Sequence, residues 1–342
     1  MRPFSRYLDE VKQASAAAFE MDLAASTPPT PAVPISVSFD PAESRRSPAN
    51  GVVLDQISQL MEVPSNRLLL TVGSSSGFLL ALSAITKAGD TVVIEKPTYE
   101  PFVQTARYLG LKVERYQRSS DFEKDLASLK KAKGKVLVIS NPNSPTGWLY
   151  TKWDLPRLAK LFDYVIVDEI FLPVFTNEVS RATSRSRIIT LSGLSKTLGL
   201  SSLRVGWIQA APKILRACDQ IGLNTYCDVP TLPLVGASLV IPRWTEIVFA
   251  HRARVEANRA VLQDFNSRFP GVLSHDFSRG HFGVLKVPRP YSTGKSFAKA
   301  LTKASVKVAA CEPFDMPNGV RISAWIEPSK FQKAIQTISK FY

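Results

Sequence analysis

From residue 68 onward, short runs of consecutive apolar residues alternate with stretches whose apolar positions recur every three or four residues. The runs are LLLTV (68–72), TVVIE (91–95), LKVERYQ (111–117), KVLVIS (135–140), YVIVDE (164–169), RIITLSG (187–193) and LRVGWIQA (203–210). Their length and β-branched content predict strands, and unbroken apolarity predicts strands covered on both faces. FLLALSAITKAG (78–89), the segment from PTYEPF (97–102) towards residue 109, FEKDLASLKKA (122–132) and WDLPRLAKLF (153–162) carry helical spacing between them. Strands alternating with helices in this way predict an α/β fold, with a largely parallel sheet in a three-layer arrangement. Ligands of such sheets sit beyond the C-terminal strand ends.

The pattern differs at both ends of the chain. Residues 4–19 have helical spacing, TPPTPAVP (27–34) interrupts it with proline, and ISVSF (35–39) leads into the polar, turn-rich segment 40–51. Residues 52–61 return to helical spacing. Beyond residue 214 the chain becomes more helical, with one long helix predicted over 243–269. FGVLKV, SFAKALTKA, VKVAAC, VRISAW and FQKAIQTISKF then form a mixed β/α unit. The expected organisation is an N-terminal arm over 1–48 that belongs partly to the smaller unit, a large α/β domain over 49–235 and a small α+β domain over 236–342. A chain of 342 residues has room for both.

Composition narrows the class. The apolar fraction of 45% and charged fraction of 21% are those of a globular protein. No apolar run suggests a membrane span and the N-terminus lacks an apolar signal region, so a cytoplasmic protein without a membrane partner is expected. Three cysteines, Cys218, Cys227 and Cys311, fit a reducing compartment, and the scattered His251, His275 and His281 form no ligand set, so no metal site is expected. The excess of 43 basic over 29 acidic residues suits anionic small molecules. KKAKGK (130–135) and RATSRSR (181–187) read as solvated connections. With no zinc finger or helix-turn-helix pattern, specific nucleic-acid binding is not expected.

Lys196 changes the picture. It lies in SGLSKTLGLSSLRVGW (192–207), among small, apolar and hydroxyl residues, eight positions before Arg204. Lysine normally keeps its ammonium in water, and one enclosed by protein has a lowered pKa and becomes nucleophilic towards carbonyls. GSSSG (73–77), between a strand and a helix, places backbone amides and hydroxyls where they suit an anion. Asp168 ends the apolar run YVIVD, where it either caps the strand or partners a buried cation.

These pieces, with PTYEPF, NPNSPTG (141–147) and VRISAW (320–325), resemble the fold type I pyridoxal-phosphate enzymes, the aspartate aminotransferase-like class I/II superfamily. They occur in the family's order over residues 68–325. The resemblance implies pyridoxal 5′-phosphate as cofactor, with Lys196 as the Schiff-base lysine and general base. It implies that Asp168 pairs with the pyridine nitrogen, and that Gly73, Ser74, Ser75, Ser195 and Arg204 cradle the phosphate. Tyr99 would stack on the ring, Ser144 would donate to it, and Arg321 would take a substrate α-carboxylate. An amino acid and a 2-oxo acid as substrates and a homodimeric assembly follow from the same likeness. Phe171 after the DE pair and the short chain lean towards the histidinol-phosphate aminotransferase and threonine-phosphate decarboxylase-like branch. A decarboxylase or lyase of the same fold therefore stands as the main alternative to an aminotransferase, and a non-catalytic pyridoxal-phosphate-binding protein as the second.

Several positions depart from the family's pattern. Ser144, a shorter donor, replaces an asparagine, and Phe171, which cannot donate, replaces a tyrosine, so donation to the cofactor's O3′ is weakened. Gly193 stands where a hydroxyl residue is usual, Ser192 being the nearby substitute, and AACEPFDMPNG (309–319) replaces a glycine-rich turn. Phe39 is the nearest counterpart of a tyrosine that reaches the neighbouring subunit.

Overall fold

The structure, a computed structural model, describes residues 19–31, 49–176, 178–180, 187–273 and 280–342. The helix expected over 4–19, the strand over 35–39, Phe39 and most of the basic run 181–187 lie outside the described residues. In chain order the strands are β1 (Met21–Asp22), β2 (Leu68–Val72), β3 (Thr91–Lys96), β4 (Lys112–Gln117), β5 (Val136–Ser140), β6 (Tyr164–Asp168), β7 (Ile188–Gly193), β8 (Val205–Gln209), β9 (Phe282–Lys286), β10 (Val306–Lys307), β11 (Ala309–Ala310) and β12 (Gly319–Ser323).

A seven-stranded sheet in the order β2-β8-β7-β6-β5-β3-β4 forms the middle layer. Its β7-β6-β5-β3-β4 pairings are parallel, while β8 runs antiparallel to both β7 and β2. Successive side chains of a strand face opposite ways, and the packing follows that period of two. Val92, Ile94, Val138, Ile166 and Ile189 bury against the helices Gly73–Ile85 and Pro212–Thr225. Their neighbours Val93, Leu137, Ile139, Val165 and Val167 bury on the other face with Leu126, Leu155 and Leu158. Both faces are covered, which is why the strands read as unbroken apolar runs.

A second core lies around the antiparallel sheet β11-β12-β9 and the parallel pair β1-β10. The helices Trp244–Arg268, Gly294–Lys303 and Pro328–Ser339 close it, with Val255, Leu262, Phe297 and Phe331 inside. Met21 and Leu23 belong to this core, so the chain at 21–23 packs with the C-terminal part of the protein. Earlier residues of the long helix, Trp244, Ile247 and Val248, instead pack with Leu70, Trp207 and the helix Ala49–Met61.

Three local expectations differ from what is observed. Gly73 opens its helix directly, so GSSSG forms a first helical turn rather than a separate loop. Only Leu155–Leu158 of the helix expected over 153–162 is helical; Pro156 suits a first turn but the segment goes no further. The near-continuous helical stretch Thr231–Arg268 is long and apolar enough to cross a bilayer by length and composition. Leu234, Ala237, Val240, Ile247, Val255, Leu262 and Phe265 of that stretch are buried in the two cores, the pattern of a core helix.

Candidate active site

Five strands of the large sheet end on one edge, and each end delivers a residue singled out above. Gly73 follows β2, Tyr99 follows β3, Ser144 follows β5, Asp168 closes β6 and Lys196 follows β7. Because β8 runs the opposite way, Arg204 stands at the same edge immediately before it. Arg321 comes from the smaller unit, in the middle of β12.

Lys196 rides on a tight turn. The Leu194 amide donates to the Val205 carbonyl, and the Leu198 amide to that of Leu194. Thr197 Oγ1 donates to the Ile170 carbonyl at 3.1 Å, which ties this turn to the segment after Asp168. The lysine Nζ donates to Ser26 Oγ at 2.6 Å and Thr27 Oγ1 at 2.8 Å. Desolvation brings its pKa down to about 7, helped by the positive charges of Arg321 and Arg204 and opposed by Asp168. The amine is therefore substantially neutral, and nucleophilic, at neutral pH.

Asp168 shifts the opposite way. Desolvation raises its carboxyl to about 7; the Ile170 amide, donating to Oδ1 at 3.0 Å, and Lys196 pull it down, while Glu95 pushes it up. A carboxylate under that stress is stabilised by a cation placed beside it.

Together these two shifts predict a pH dependence for the cofactor-free protein. Asp168 contributes stability that is present below its ordinary 3.8 and lost as pH rises to about 7. Lys196 contributes stability that is present above its ordinary 10.5 and lost as pH falls to about 7. Melting temperature against pH is expected to dip near neutrality, the acid-side slope shrinking in Asp168→Asn and the alkaline-side slope in Lys196→Met. Unchanged slopes in both variants would refute the two shifts.

The anion site is built on close backbone approach. Gly73 has φ +76°, and a Cβ there would lie 2.5 Å from Arg204 Nη2. A Cβ at Gly206 would lie 2.6 Å from the Ser74 amide nitrogen. Glycine at both positions thus lets the Arg204 guanidinium and β8 press against the start of the helix Gly73–Ile85. That helix has no side-chain N-cap. Its first-turn amides and an arginine without an ion pair among the described residues therefore lie together as donors, with Ser74 and Ser75 in the same turn. Gly193 has the same kind of reason: a Cβ would lie 2.9 Å from the Val205 carbonyl oxygen, so the hydroxyl residue usual in the family would collide there. Ser195 is partly buried one position before the lysine, and Ser192 Oγ is buried without a partner.

Arg321 is 1% exposed and lies between the rings of Phe282 and Phe314, at 4.7 and 5.2 Å. It donates to the Ala24 carbonyl at 2.8 Å and to Ser144 Oγ at 3.4 Å, and its Nε has no partner. It forms no ion pair among the described residues, so a buried guanidinium faces the site with donor capacity unused. Ser144, expected beside the cofactor ring, is thus in contact with the arginine expected beside the substrate. Tyr99 packs edge-on to Phe102 at 5.4 Å and also against the cluster of Val284, Cys311 and Phe314. Phe171 joins Phe282 and His281 in an aromatic group. The turn 309–319 supplies Phe314 and places Asp315 2.6 Å from Arg115.

Three features were not anticipated. Ser26 and Thr27 reach Lys196 from 170 and 169 residues away, beyond any spacing rule. Arg118 and Glu95, both fully buried, pair at 2.6 Å. Glu95 accepts from the amide and hydroxyl of Ser140 at 2.7 Å, and Arg118 donates to the Ser140 carbonyl and Asn141 Oδ1, so this pair braces the start of the 141–147 box. His281 is fully buried with neither ring nitrogen partnered. Alternating strand patterns flag none of these polar residues. No group of three potential metal ligands occurs among the described residues.

The donor set fits a phosphorylated pyridine aldehyde: a neutral amine for the aldehyde, an acid under desolvation stress for a ring cation, and arginine plus helix amides for a dianion. That defines a cofactor site of the pyridoxal-phosphate type. Residues 52–338 match the family described as aminotransferase class I and II. The chain is 29% identical to a histidinol-phosphate aminotransferase of Haemophilus influenzae over 315 residues, covering 87% of this chain and 83% of that one. It is 28% identical to another histidinol-phosphate aminotransferase, from Ralstonia nicotianae, covering 68% of this chain and 64% of its relative. Among solved structures, the aspartate aminotransferase of Thermotoga maritima superposes with a TM-score of 0.80 at 19% identity, covering 99% and 97% of the two chains. The chain belongs to the class I and II aminotransferase family, whose members use pyridoxal 5′-phosphate.

Proposed function

We infer that this protein is a pyridoxal-phosphate-dependent aminotransferase that moves the amino group of an amino acid to a 2-oxo acid in two half-reactions. The observation that carries the reading is one amine, Lys196, set among Asp168 and two arginines that form no ion pair among the described residues. The cofactor, when bound, supplies a carbonyl for the amine and a ring that withdraws electrons from the substrate Cα. The chain's own residues do the rest. Arg204, the first helical turn at Gly73, Ser74 and Ser75, and Ser195 hold the phosphate. Asp168 keeps a proton on the ring nitrogen. Tyr99 and Ser144 border the ring. Lys196 Nζ, with its pKa at about 7, is matched to take up and return a proton near neutral pH.

Arg321 orients the substrate by its carboxylate. The arginine fork grips a carboxylate through two parallel donors, which a lysine cannot reproduce. Arg321→Lys is expected to raise KM for amino acids by about 10- to 100-fold. Rates with the corresponding amines, which lack the carboxylate, should change far less. Equal losses on both substrates would remove Arg321 from this role.

The names of the relatives favour an anionic amino donor, either aspartate or the amino alcohol ester histidinol phosphate, in keeping with a net charge of +14. The carboxylate role of Arg321 applies to aspartate and to the 2-oxo acid acceptor, since histidinol phosphate has no carboxylate. A homodimer is the assembly we propose. Val52, Leu232, Leu239 and Phe249 are exposed apolar residues on helices that pack together beside the large sheet, and Phe249 is 74% exposed. A cytoplasmic location belongs to the same proposal, supported by three free thiols.

A further inference from the structure

Residues 23–31 form a strap that crosses the site and is fixed on both sides of it. On one side, the Leu23 amide donates to the Lys307 carbonyl at 2.8 Å, and the Leu23 carbonyl accepts from the amide and hydroxyl of Ser323. Next, the Ala24 carbonyl accepts from Arg321. On the other side, Thr27 Oγ1 lies 3.4 Å from Ser201 Oγ, and Thr30 Oγ1 donates to the Gly199 carbonyl. Gly199 has φ +75°, and a Cβ there would lie 2.5 Å from the Pro29 carbonyl oxygen, so the strap seats directly on the turn that carries Lys196. Pro28, Pro29 and Pro31 restrict its backbone. Between these anchors, Ser26 and Thr27 hold the lysine Nζ at 2.6 and 2.8 Å.

We propose that Ser26 and Thr27 are positioning residues for Lys196, holding its amine in place whenever it is not bonded to the cofactor and must carry the substrate's proton at Nζ. This rests on the reading of Lys196 given above. Lysine has a long flexible stem, so a base that is released and recaptured in every cycle needs a dock. The chemistry of the dock matters. A carboxylate would lock the amine in its charged form. A hydroxyl accepts from the ammonium and can turn to donate to the neutral amine, so it stays bonded in both protonation states. The charged groups acting on the amine, Arg321, Arg204 and Asp168, come from three other elements. The two hydroxyls therefore fix its position without adding charge.

The test compares Ser26→Ala, Thr27→Val and their combination with the hydroxyl-preserving Ser26→Thr and Thr27→Ser, using the full chain and two readouts. The first is the Lys196 pKa in cofactor-free protein, from the pH dependence of acylation of the Lys196 peptide followed by mass spectrometry. Losing two acceptors disfavours the ammonium, so the double variant is expected to titrate about one unit lower. The second is steady-state kinetics of the loaded enzyme with Cα-deuterated and ordinary substrate. The double variant is expected to lose about 10- to 100-fold in kcat with little change in KM, to show a larger isotope effect, and to recover with Thr27→Ser. An unchanged lysine pKa and isotope effect, with only melting temperature or cofactor content lowered, would reduce the strap to a structural role and overturn the proposal. Wild-type enzyme that converts no amino acid would count against the aminotransferase reading alone, and the titration would still decide the dock.

Discussion

Lys196→Ala is expected to leave a folded protein that is no longer fixed to its cofactor by borohydride and whose transfer rate falls by about 10²- to 10⁴-fold or more. That range is what one positioned proton-transfer group typically supplies, and loss of the covalent nucleophile adds to it. Folding should survive because the lysine stabilises little. Its amine is desolvated and is pushed towards neutrality by Arg321 and Arg204, so its removal relieves repulsion. The hydroxyls of Ser26 and Thr27 lose a partner but lie on a strap held at several other points. Cofactor content by absorbance, borohydride fixation and rate, measured together, separate a lost nucleophile from a lost fold. A variant that retains more than about a tenth of the wild-type rate would show that the lysine is not the base.

Asp168→Asn is expected to act with opposite signs on the two forms of the protein. Without cofactor, the carboxylate sits desolvated near Glu95, so the neutral amide should raise the melting temperature above pH 7. With cofactor, the variant loses the charge that keeps a proton on the ring nitrogen. Breaking a buried charge pair from one side typically costs enough to lower the rate by about 10²- to 10³-fold. Thermal melts of stripped and loaded protein at pH 8, with kcat from the same preparations, check both arms. A residue that only caps β6 would destabilise both forms alike when replaced.

Much of this was legible in the chain because burial on both faces leaves an unambiguous trace. The runs that became β5 and β6 are apolar at nearly every position, and each alternate side chain enters a different core. The direction of β8 left no such trace, since LRVGWIQA reads the same parallel or antiparallel, yet that direction brings Arg204 to the edge where Lys196 lies. Lys196 stood out because a lysine among small, apolar and hydroxyl residues is unusual, and Asp168 and Arg204 because they flank apolar runs on either side of it in the order of the family pattern. Ser26 and Thr27 did not, being ordinary polar residues beside prolines; their meaning depends on a fold that returns the N-terminal segment to the C-terminal unit through β1 and β10. Ser144 was expected by family pattern to touch the cofactor, and its contact with Arg321 depends on how β12 approaches the 141–147 box. Glu95 and Arg118 occur among exposed-looking charges, and only their pairing across β3 and the chain after β4 makes burial tolerable.

The most direct measurement is a single-turnover reaction of the loaded enzyme with each of a panel of amino acids, and separately with the amino alcohol ester histidinol phosphate, in the absence of any acceptor, quantifying 2-oxo product and, for the amino acids, CO2 against cofactor. The account predicts that at least one donor yields one equivalent of the matching 2-oxo compound per cofactor and no CO2, and that a second 2-oxo acid then restores the starting spectrum. Release of CO2 without that stoichiometric product, or no reaction with any donor by enzyme shown to carry cofactor on Lys196, would contradict it.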